Sequence, residues 1–299
     1  MIAIFALAIE IGIDPTLVEI GSIEITWHGL FTALGVVAGV AIAVVLGRRA
    51  GYSEDTVYNV ALALVVGGII GARALYVIEN WGEFEDDLGN IVAINTGGIS
   101  IYGALIGGAI GAWLYAIIAK VPNIPRGADI GAIAATVGMA VGRIGDVING
   151  EHFAKTTDLP WGIIYTHPNS PSFLRFGPEA EPQHPAVAYE LIGDLFIFVI
   201  LLVIYYKVPR AGATFFAWVF LYGLLRFAVS FLRLDNEIIG GLTAAQVIAI
   251  VAMPIGLAGM IYLLRTPPAE ERRAQRKRRE DQDQEPPPPP EPLEEPSAS

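Results

Sequence analysis

Seven apolar segments, each about twenty residues long, alternate with short polar segments along the chain. A helix of about twenty apolar residues is long enough to cross the hydrocarbon core of a bilayer. The pattern therefore predicts an all-α polytopic membrane protein with seven transmembrane helices. The predicted spans cover residues 26–46, 57–78, 97–119, 128–148, 185–207, 214–232 and 242–264.

The basic residues between the predicted spans are distributed unevenly. One set of connections, together with the segment after the last span, holds Arg48, Arg49, Lys120, Arg126, Lys207, Arg210, Arg265 and six more. The other set holds Lys155, Arg175 and Arg233. Because basic loops remain in the cytoplasm, we expect the N-terminus to lie outside and the C-terminus to lie in the cytoplasm.

This orientation divides the chain into three parts. Residues 1–25 are expected to form an extracytoplasmic arm without a removable signal peptide, since they show no basic start and no small-residue cleavage site. Residues 26–264 are expected to form the seven-span transmembrane domain, with 149–184 as a small extracytoplasmic cap. The charged, proline-rich residues 265–299 are expected to be a disordered cytoplasmic tail.

Glycines recur at four-residue spacing within several predicted spans. This small-xxx-small pattern is typical of helices whose backbones approach closely in a membrane. We expect such packing at Gly67, Gly71, Gly103, Gly107, Gly111, Gly138 and Gly142.

Composition narrows the possible chemistry. The chain is 54% hydrophobic and 16% charged, which is typical of a membrane protein. It has no cysteine, which excludes disulfides, thiolate metal sites and a cysteine nucleophile. The four histidines lack metal-ligand spacing, so we expect no metal and no cofactor. Membrane lipids are the expected partners, and nucleic acid is not.

Three arginines lie within or at the ends of predicted spans, where a charge needs a partner or a substrate. They are Arg73, Arg143 and Arg226. Guanidinium groups bind phosphate oxygens bidentately, and phospholipid head groups are the phosphates available there. A structural ion pair between Arg143 and the residue at i+3 is the alternative. Polar residues near the three arginines are Tyr76, Asp146, Asn149 and Tyr222.

Residues 142–151, GRIGDVINGE, carry a guanidinium, two carboxylates and a carboxamide at the end of an apolar segment. This stretch resembles the signature of the prolipoprotein diacylglyceryl transferases, bacterial membrane enzymes with the pattern G-R-x-G-N-x-x-N-G-E. Further similar segments follow in the same order along the chain: WHGL at 27–30, GAR at 71–73, SIYGALIGG at 100–108, HP at 184–185, YE at 189–190 and YGLLRF at 222–227.

The resemblance implies a function. Members of this family move the diacylglyceryl group of phosphatidylglycerol onto the thiol of the lipobox cysteine in a prolipoprotein signal peptide, and they release glycerol phosphate. The expected location is the bacterial cytoplasmic (inner) membrane. By resemblance, Arg143 and Arg226 bind the phosphate, and Tyr102 takes the thiol proton in preference to His28. The other expected substrate-binding residues are Arg73, Tyr76, Asp146, Asn149, Gly150, Glu151 and Tyr222.

The chain departs from the family pattern at six positions. Histidine is usual at 102, asparagine at 146, glycine at 154, tyrosine at 28, glutamine at 187 and an acidic residue at 230; here they are Tyr102, Asp146, Ala154, His28, Val187 and Ser230. A diverged paralogue that binds lipid without transferring it is therefore an alternative. A transporter is a further one, although the sequence shows no internal repeat of the kind common in transporters.

Overall fold

Seven long helices dominate the computed structural model, which describes residues 8–21, 23–85, 88–92 and 97–266. All seven are long and apolar enough to cross a membrane, which confirms the predicted spans. They are α1 (Trp27–Arg49), α2 (Glu54–Glu79), α3 (Ile101–Ile118), α4 (Ile124–Asn149), α6 (Ala186–Lys207), α7 (Ala213–Ser230) and α8 (Ala244–Arg265). The expected disordered tail falls almost wholly outside the described residues.

The two ends of the bundle differ. One end carries the segment 150–185, with a short helix α5 (Pro171–Phe176), and we call it the cap end. The other end carries the basic residues in the last turns of α1 and α6 and just after α3 and α6, and we call it the basic end. Polar N-cap side chains fix where two of the helices begin. At the start of α1, the Thr26 hydroxyl accepts a hydrogen bond from the Gly29 N–H, and at the start of α8, Thr243 and Gln246 form a capping box.

Glycines bring the helix backbones together as the spacing predicted, except at Gly142, where a Cβ would have no described atom of a neighbouring element within 4 Å and the prediction was wrong. A Cβ at Gly71 in α2 would lie 2.3 Å from the Gly103 carbonyl oxygen in α3, so only glycine fits. A Cβ at Gly35 in α1 would likewise lie 2.4 Å from the Gly138 carbonyl oxygen in α4. Such close contacts replace the hydrophobic driving force, which is missing between helices in lipid. Among the described elements, α3 packs extensively only on α2, whereas α4 packs on α1, α6 and α7.

Short strands cover the cap end, and the apolar pattern of the sequence did not predict them. β1 (Ile9–Ile11) pairs in parallel with β4 (Ile163–Tyr165), so the arm is joined to the cap. β2 (Thr16–Ile20) and β3 (Ile23–Thr26) form an antiparallel hairpin that leads directly into α1. β5 (Glu237–Ile239) and β6 (Leu242–Thr243) connect α7 to α8.

Candidate active site

The C-terminal end of α4 and the N-terminal end of α1 meet beneath the cap. Gly145 permits the contact, because a Cβ there would lie 2.7 Å from the Trp27 carbonyl oxygen. The Asn149 side-chain oxygen accepts a hydrogen bond from the backbone N–H of His28 at 3.2 Å. Gly150 then ends α4 in the left-handed conformation, with φ at 71°. The predicted signature therefore forms a fixed joint between two helices.

Asp146 is the centre of a polar group at this joint. Its buried carboxylate accepts a hydrogen bond from Arg143 Nη1 at 2.8 Å, and its other oxygen lies 2.5 Å from His28 Nδ1. His152 Nε2 approaches the same carboxylate at 3.4 Å, and Glu151 Oε1 lies 2.9 Å from His28 Nδ1. One carboxylate thus connects an arginine of α4 to a histidine of α1.

The donor atoms of His28, Asp146 and Glu151 lie within 4.8 Å of one another, a spacing that a small metal ion would accept. Asp146, however, already accepts from both Arg143 and His28. The positive guanidinium supplies the charge that a cation would bring. We therefore interpret the group as a hydrogen-bonded network.

Glu190 of α6 holds a second group next to the first. Its carboxylate is buried, it lies 2.7 Å from Arg143 Nη2, and it pairs with Arg226 Nη1 through its other oxygen. Arg233 Nη1 lies 4.0 Å from the same carboxylate. We call Arg143, Arg226 and Arg233, gathered around Glu190, the arginine cluster. Three arginines from α4, α7 and the segment after α7 converge on one carboxylate.

Two further polar side chains lie close to the arginine cluster. Asp194, one helical turn beyond Glu190 on α6, is buried, and its Oδ1 atom has no hydrogen-bond partner in the described part of the chain. It interacts electrostatically with Arg143 and Arg226. Tyr222, one turn before Arg226 on α7, interacts with the same two arginines. The expected placement of Tyr222 beside Arg226 is therefore consistent with the structure.

Arg73 and Tyr76 lie in a different group. Arg73 donates four hydrogen bonds of 2.5 to 2.9 Å to backbone carbonyl oxygens of residues 90, 91, 97 and 98. Its guanidinium also lies 5.7 Å from the centre of the Tyr76 ring. Arg73 therefore fixes the connection between α2 and α3 and is not joined to the arginine cluster.

Tyr102 is also separate from the cluster. It is the second residue of α3 and its exposed fraction is 37%. It makes no hydrogen bond, ion pair or ring contact with any residue in the described ranges. His28, in contrast, contacts two carboxylates of the site.

Two groups of the cap end have displaced pKa values. Burial would raise the pKa of the Asp235 carboxyl, but hydrogen bonds from Arg233 outweigh burial and the pKa is lowered. Burial raises the pKa of the Tyr165 phenol, whose hydroxyl donates to the Val147 carbonyl oxygen at 2.8 Å. Tyr165 thereby attaches the cap to the end of α4.

Sequence reasoning did not include Glu190, His152 and Arg233 among the site residues. Glu190 lies in a segment that resembles the family, so the signal was available. Arg233 was assigned to an outer connection, yet it lies seven residues after Arg226. Seven residues are about two helical turns, so a helix continued to 233 would place the two side chains on one face, although α7 itself ends at Ser230. That spacing was the signal that could have indicated Arg233.

The fold and the site together define a class: a seven-helix membrane protein with buried arginines and carboxylates at one end, suited to an anionic head group. Residues 15–262 match the family model for prolipoprotein diacylglyceryl transferase. The chain belongs to the prolipoprotein diacylglyceryl transferase family.

Curated relatives cover most of the chain. A phosphatidylglycerol–prolipoprotein diacylglyceryl transferase of Nostoc sp. (strain PCC 7120) is 36% identical over 256 residues, which cover 83% of this chain and 89% of the relative. The enzyme of the same name from Dehalococcoides mccartyi is 34% identical, with coverage of 86% and 96%. That from Clostridioides difficile is 33% identical, with coverage of 81% and 92%.

Proposed function

We propose that this protein transfers the diacylglyceryl group of phosphatidylglycerol to the thiol of a lipobox cysteine in a prolipoprotein signal peptide and releases glycerol phosphate. We further propose that it acts in the cytoplasmic membrane of a bacterium. The names of its relatives support the reaction and its two substrates. The observation that carries the proposal is the pair Arg143 and Arg226, both held by Glu190 at the cap end.

Arg143 and Arg226 are suited to bind the lipid phosphate. Glu190 presents one carboxylate oxygen to each guanidinium, and the two non-bridging oxygens of a phosphodiester present a comparable pair of acceptors. Glu190 thus keeps the two guanidinium groups close to each other in the absence of lipid. When the bond between glycerol and phosphate breaks, negative charge grows on the phosphate oxygens, and the fixed cations stabilise it.

The reaction also needs a group that accepts the thiol proton. We propose His28 for this role in place of Tyr102, because His28 belongs to the site and Tyr102 does not contact it. Asp146 accepts from Nδ1, so the neutral ring carries its free electron pair on Nε2. His28 is a catalytic residue in this scheme, and Asp146 is a positioning residue that also holds Arg143.

The bond changes balance as follows. The thiol proton moves to Nε2 of His28 while sulfur attacks the glycerol carbon that bears the phosphate ester. The carbon–sulfur bond forms, the carbon–oxygen bond breaks, and its electron pair remains on the phosphate oxygen. The proton then passes from His28 to the released glycerol phosphate or to water. No oxidant or cofactor is required.

The departures at positions 28 and 146 are in direct contact, which favours an active enzyme over a lipid-binding paralogue. Where tyrosine and asparagine are usual, the chain has His28 and Asp146 at a distance of 2.5 Å. His28 Nδ1 donates to the Asp146 carboxylate, so the exchange keeps a hydrogen bond between α1 and α4. Besides its pairing with Arg143, the Asp146 carboxylate gains a donor from His28, which lowers the cost of a charge at this place. The two departures are therefore interpreted as one compensated exchange.

Transfer from labelled phosphatidylglycerol to a synthetic lipobox peptide tests the proposal with purified protein. We expect a thioether-linked diacylglyceryl peptide, detected by mass spectrometry. A peptide with serine in place of the lipobox cysteine is the matched control and should remain unmodified. Retained lipid without any product would contradict the proposal and indicate the paralogue.

A further inference from the structure

Arg233 occupies a fixed position between the membrane helices and the cap. Only 8% of its side chain is exposed. Both of its neighbours bond to the cap: the Lys155 N–H donates to the Leu232 carbonyl oxygen at 2.8 Å, and the Leu234 N–H donates to the Phe153 carbonyl oxygen at 3.1 Å. The backbone on each side of Arg233 is therefore held in place.

One side of the Arg233 guanidinium is occupied. Nε donates to Asp235 at 2.8 Å, and Nη2 donates to the other oxygen of that carboxylate at 3.1 Å. Nη2 also lies 3.3 Å from His152 Nδ1. This bidentate arrangement fixes the plane of the guanidinium and therefore the direction of the remaining nitrogen, Nη1.

Nη1 of Arg233 is buried and has no hydrogen-bond partner among the residues that the structure describes. It faces Glu190, the carboxylate at the centre of the arginine cluster, and lies 4.0 Å from Oε1, beyond hydrogen-bond distance. Ser230, one turn earlier, offers no carboxylate, and its hydroxyl donates to the Phe227 carbonyl oxygen. A buried donor without an acceptor costs free energy, so an acceptor supplied by a ligand would be stabilised there.

We propose that Arg233 is a third arginine that binds the phosphate group of the substrate and of the released product. The proposal rests on the proposed function. Each non-bridging oxygen of the lipid phosphodiester accepts more than one hydrogen bond, and the released phosphomonoester has a third non-ester oxygen, so both offer an acceptor to Arg233 Nη1. A lipid phosphodiester and the phosphomonoester of glycerol phosphate share this chemistry. The alternative is a structural Arg233 that only attaches the cap through Asp235.

Arg233→Gln tests the proposal in the full-length protein. We expect the KM for phosphatidylglycerol to rise, the inhibition constant of added glycerol phosphate to rise, or both, by about tenfold, the size expected when one charge-assisted hydrogen bond is lost. A rise in KM alone assigns the contact to the lipid, and a rise in the inhibition constant alone assigns it to the product. Unchanged values of both, within about twofold, would overturn the proposal.

Asp235→Asn is the matched control, because it removes the charge of the ion pair while the amide oxygen still accepts from Arg233 and the guanidinium, with Nη1, keeps its position. We expect less than about a threefold change in KM. An equal effect of both variants would show that only the ion pair matters and would overturn the proposal. Arg233→Lys keeps the charge and serves as the second variant if Arg233→Gln does not fold; it should also raise KM or the inhibition constant.

Direct binding separates this inference from the proposed function. If wild-type protein forms no thioether product, retention of phosphatidylglycerol and binding of glycerol phosphate are measured for wild type and Arg233→Gln. Weaker binding by the variant supports the role of Arg233 although the transfer reaction has failed. Equal binding by the two proteins contradicts that role.

Discussion

The two ends of α4 carry the same motif, an arginine followed three residues later by a buried aspartate, but the surroundings differ. At the basic end, Asp129 accepts from the backbone N–H groups of Gly212 and Phe215 at 2.8 and 2.9 Å. Its arginine, Arg126, lies 3.7 Å away and stacks on Tyr205. At the cap end, Asp146 is surrounded by Arg143 and two histidines.

The difference shows how to separate a structural charge from a functional one in this protein. Asp129 is satisfied by the start of α7, where backbone N–H groups carry partial positive charge and need acceptors. Within the part of the chain that the structure describes, Asp146 is satisfied only by side chains that can themselves bind anions or move protons. Nearby atoms, including Asp194 Oδ1 and Arg233 Nη1, have no hydrogen-bond partner within the described ranges. Arg210 Nη1 at the basic end is likewise without a partner in the described part of the chain, so it is the grouping of several such atoms around Glu190 that indicates a site completed by a ligand.

The largest expected difference between the two ends appears when the arginine at each end is replaced by lysine and the transfer activity is compared. Arg143→Lys keeps the charge but loses the planar donor geometry that holds Asp146 and Glu190 together, so transfer should fall by on the order of a hundredfold to a thousandfold. Arg126→Lys should change activity by less than about threefold. Complementation of a strain depleted of its own transferase, followed by assay of the purified variants, measures both. Full activity of Arg143→Lys would refute the assignment of this end as the site.

The next largest effect is expected when His28, the proposed general base, is replaced. His28→Gln should lower kcat by on the order of a hundredfold, because Nε2 of the ring is lost while the peptide and lipid sites remain. Tyr102→Phe, the matched variant on α3, should retain most of the activity, since its hydroxyl makes no described contact. The two variants are compared in pH-rate profiles at saturating lipid. The reverse result would favour the phenol of Tyr102 as the base.

A smaller effect, on stability alone, is expected at the basic end. Asp129→Asn removes the charge from two hydrogen bonds to the start of α7 and should destabilise the fold by about 2 kcal/mol. Thermal unfolding in detergent should show a lower midpoint, while the activity of the folded protein stays within about twofold. If Asp129→Asn instead unfolded at the wild-type midpoint but lost activity, Asp129 would have a functional and not a structural role, contrary to the comparison between the two ends.

The smallest effect is a pH dependence at the cap end. The pKa of Asp235 is lowered in the folded protein, so its stabilisation is present above the unfolded value near 4 and is lost as the pH falls through the folded value. The difference in unfolding midpoint between wild type and Asp235→Asn should therefore shrink as the pH falls below about 4 and disappear below the pKa of Asp235 in the folded protein. Asp235 is partly exposed, so the difference at neutral pH is expected to be small. A difference that grows on acidification would contradict this.

Much of the architecture was predictable from the sequence because membrane spans are determined locally. Each span needs about twenty apolar residues whatever its neighbours are, and the predicted bounds agree with the seven helices to within a few residues. The glycine spacing likewise predicted close helix packing, and the structure shows which helices it joins, α2 with α3 and α1 with α4. The short strands were not predicted, because strands of two to five residues carry too little pattern.

Which of the predicted residues belong to the site was decided by the tertiary structure. The sequence identified Arg143, Asp146 and Arg226 as charges that need partners, since charges are costly in apolar spans wherever they occur. It could not decide which partner each would meet. Arg73 donates to backbone carbonyl groups, and Tyr102 contacts none of the described site residues. His28, in contrast, bonds to Asp146, which lies 118 positions away in the chain. Such contacts follow from how helices pack, and no local pattern encodes them. The sequence alone therefore determined the spans and the charges within them, and the packing of α1, α4, α6 and α7 decided which charges act together.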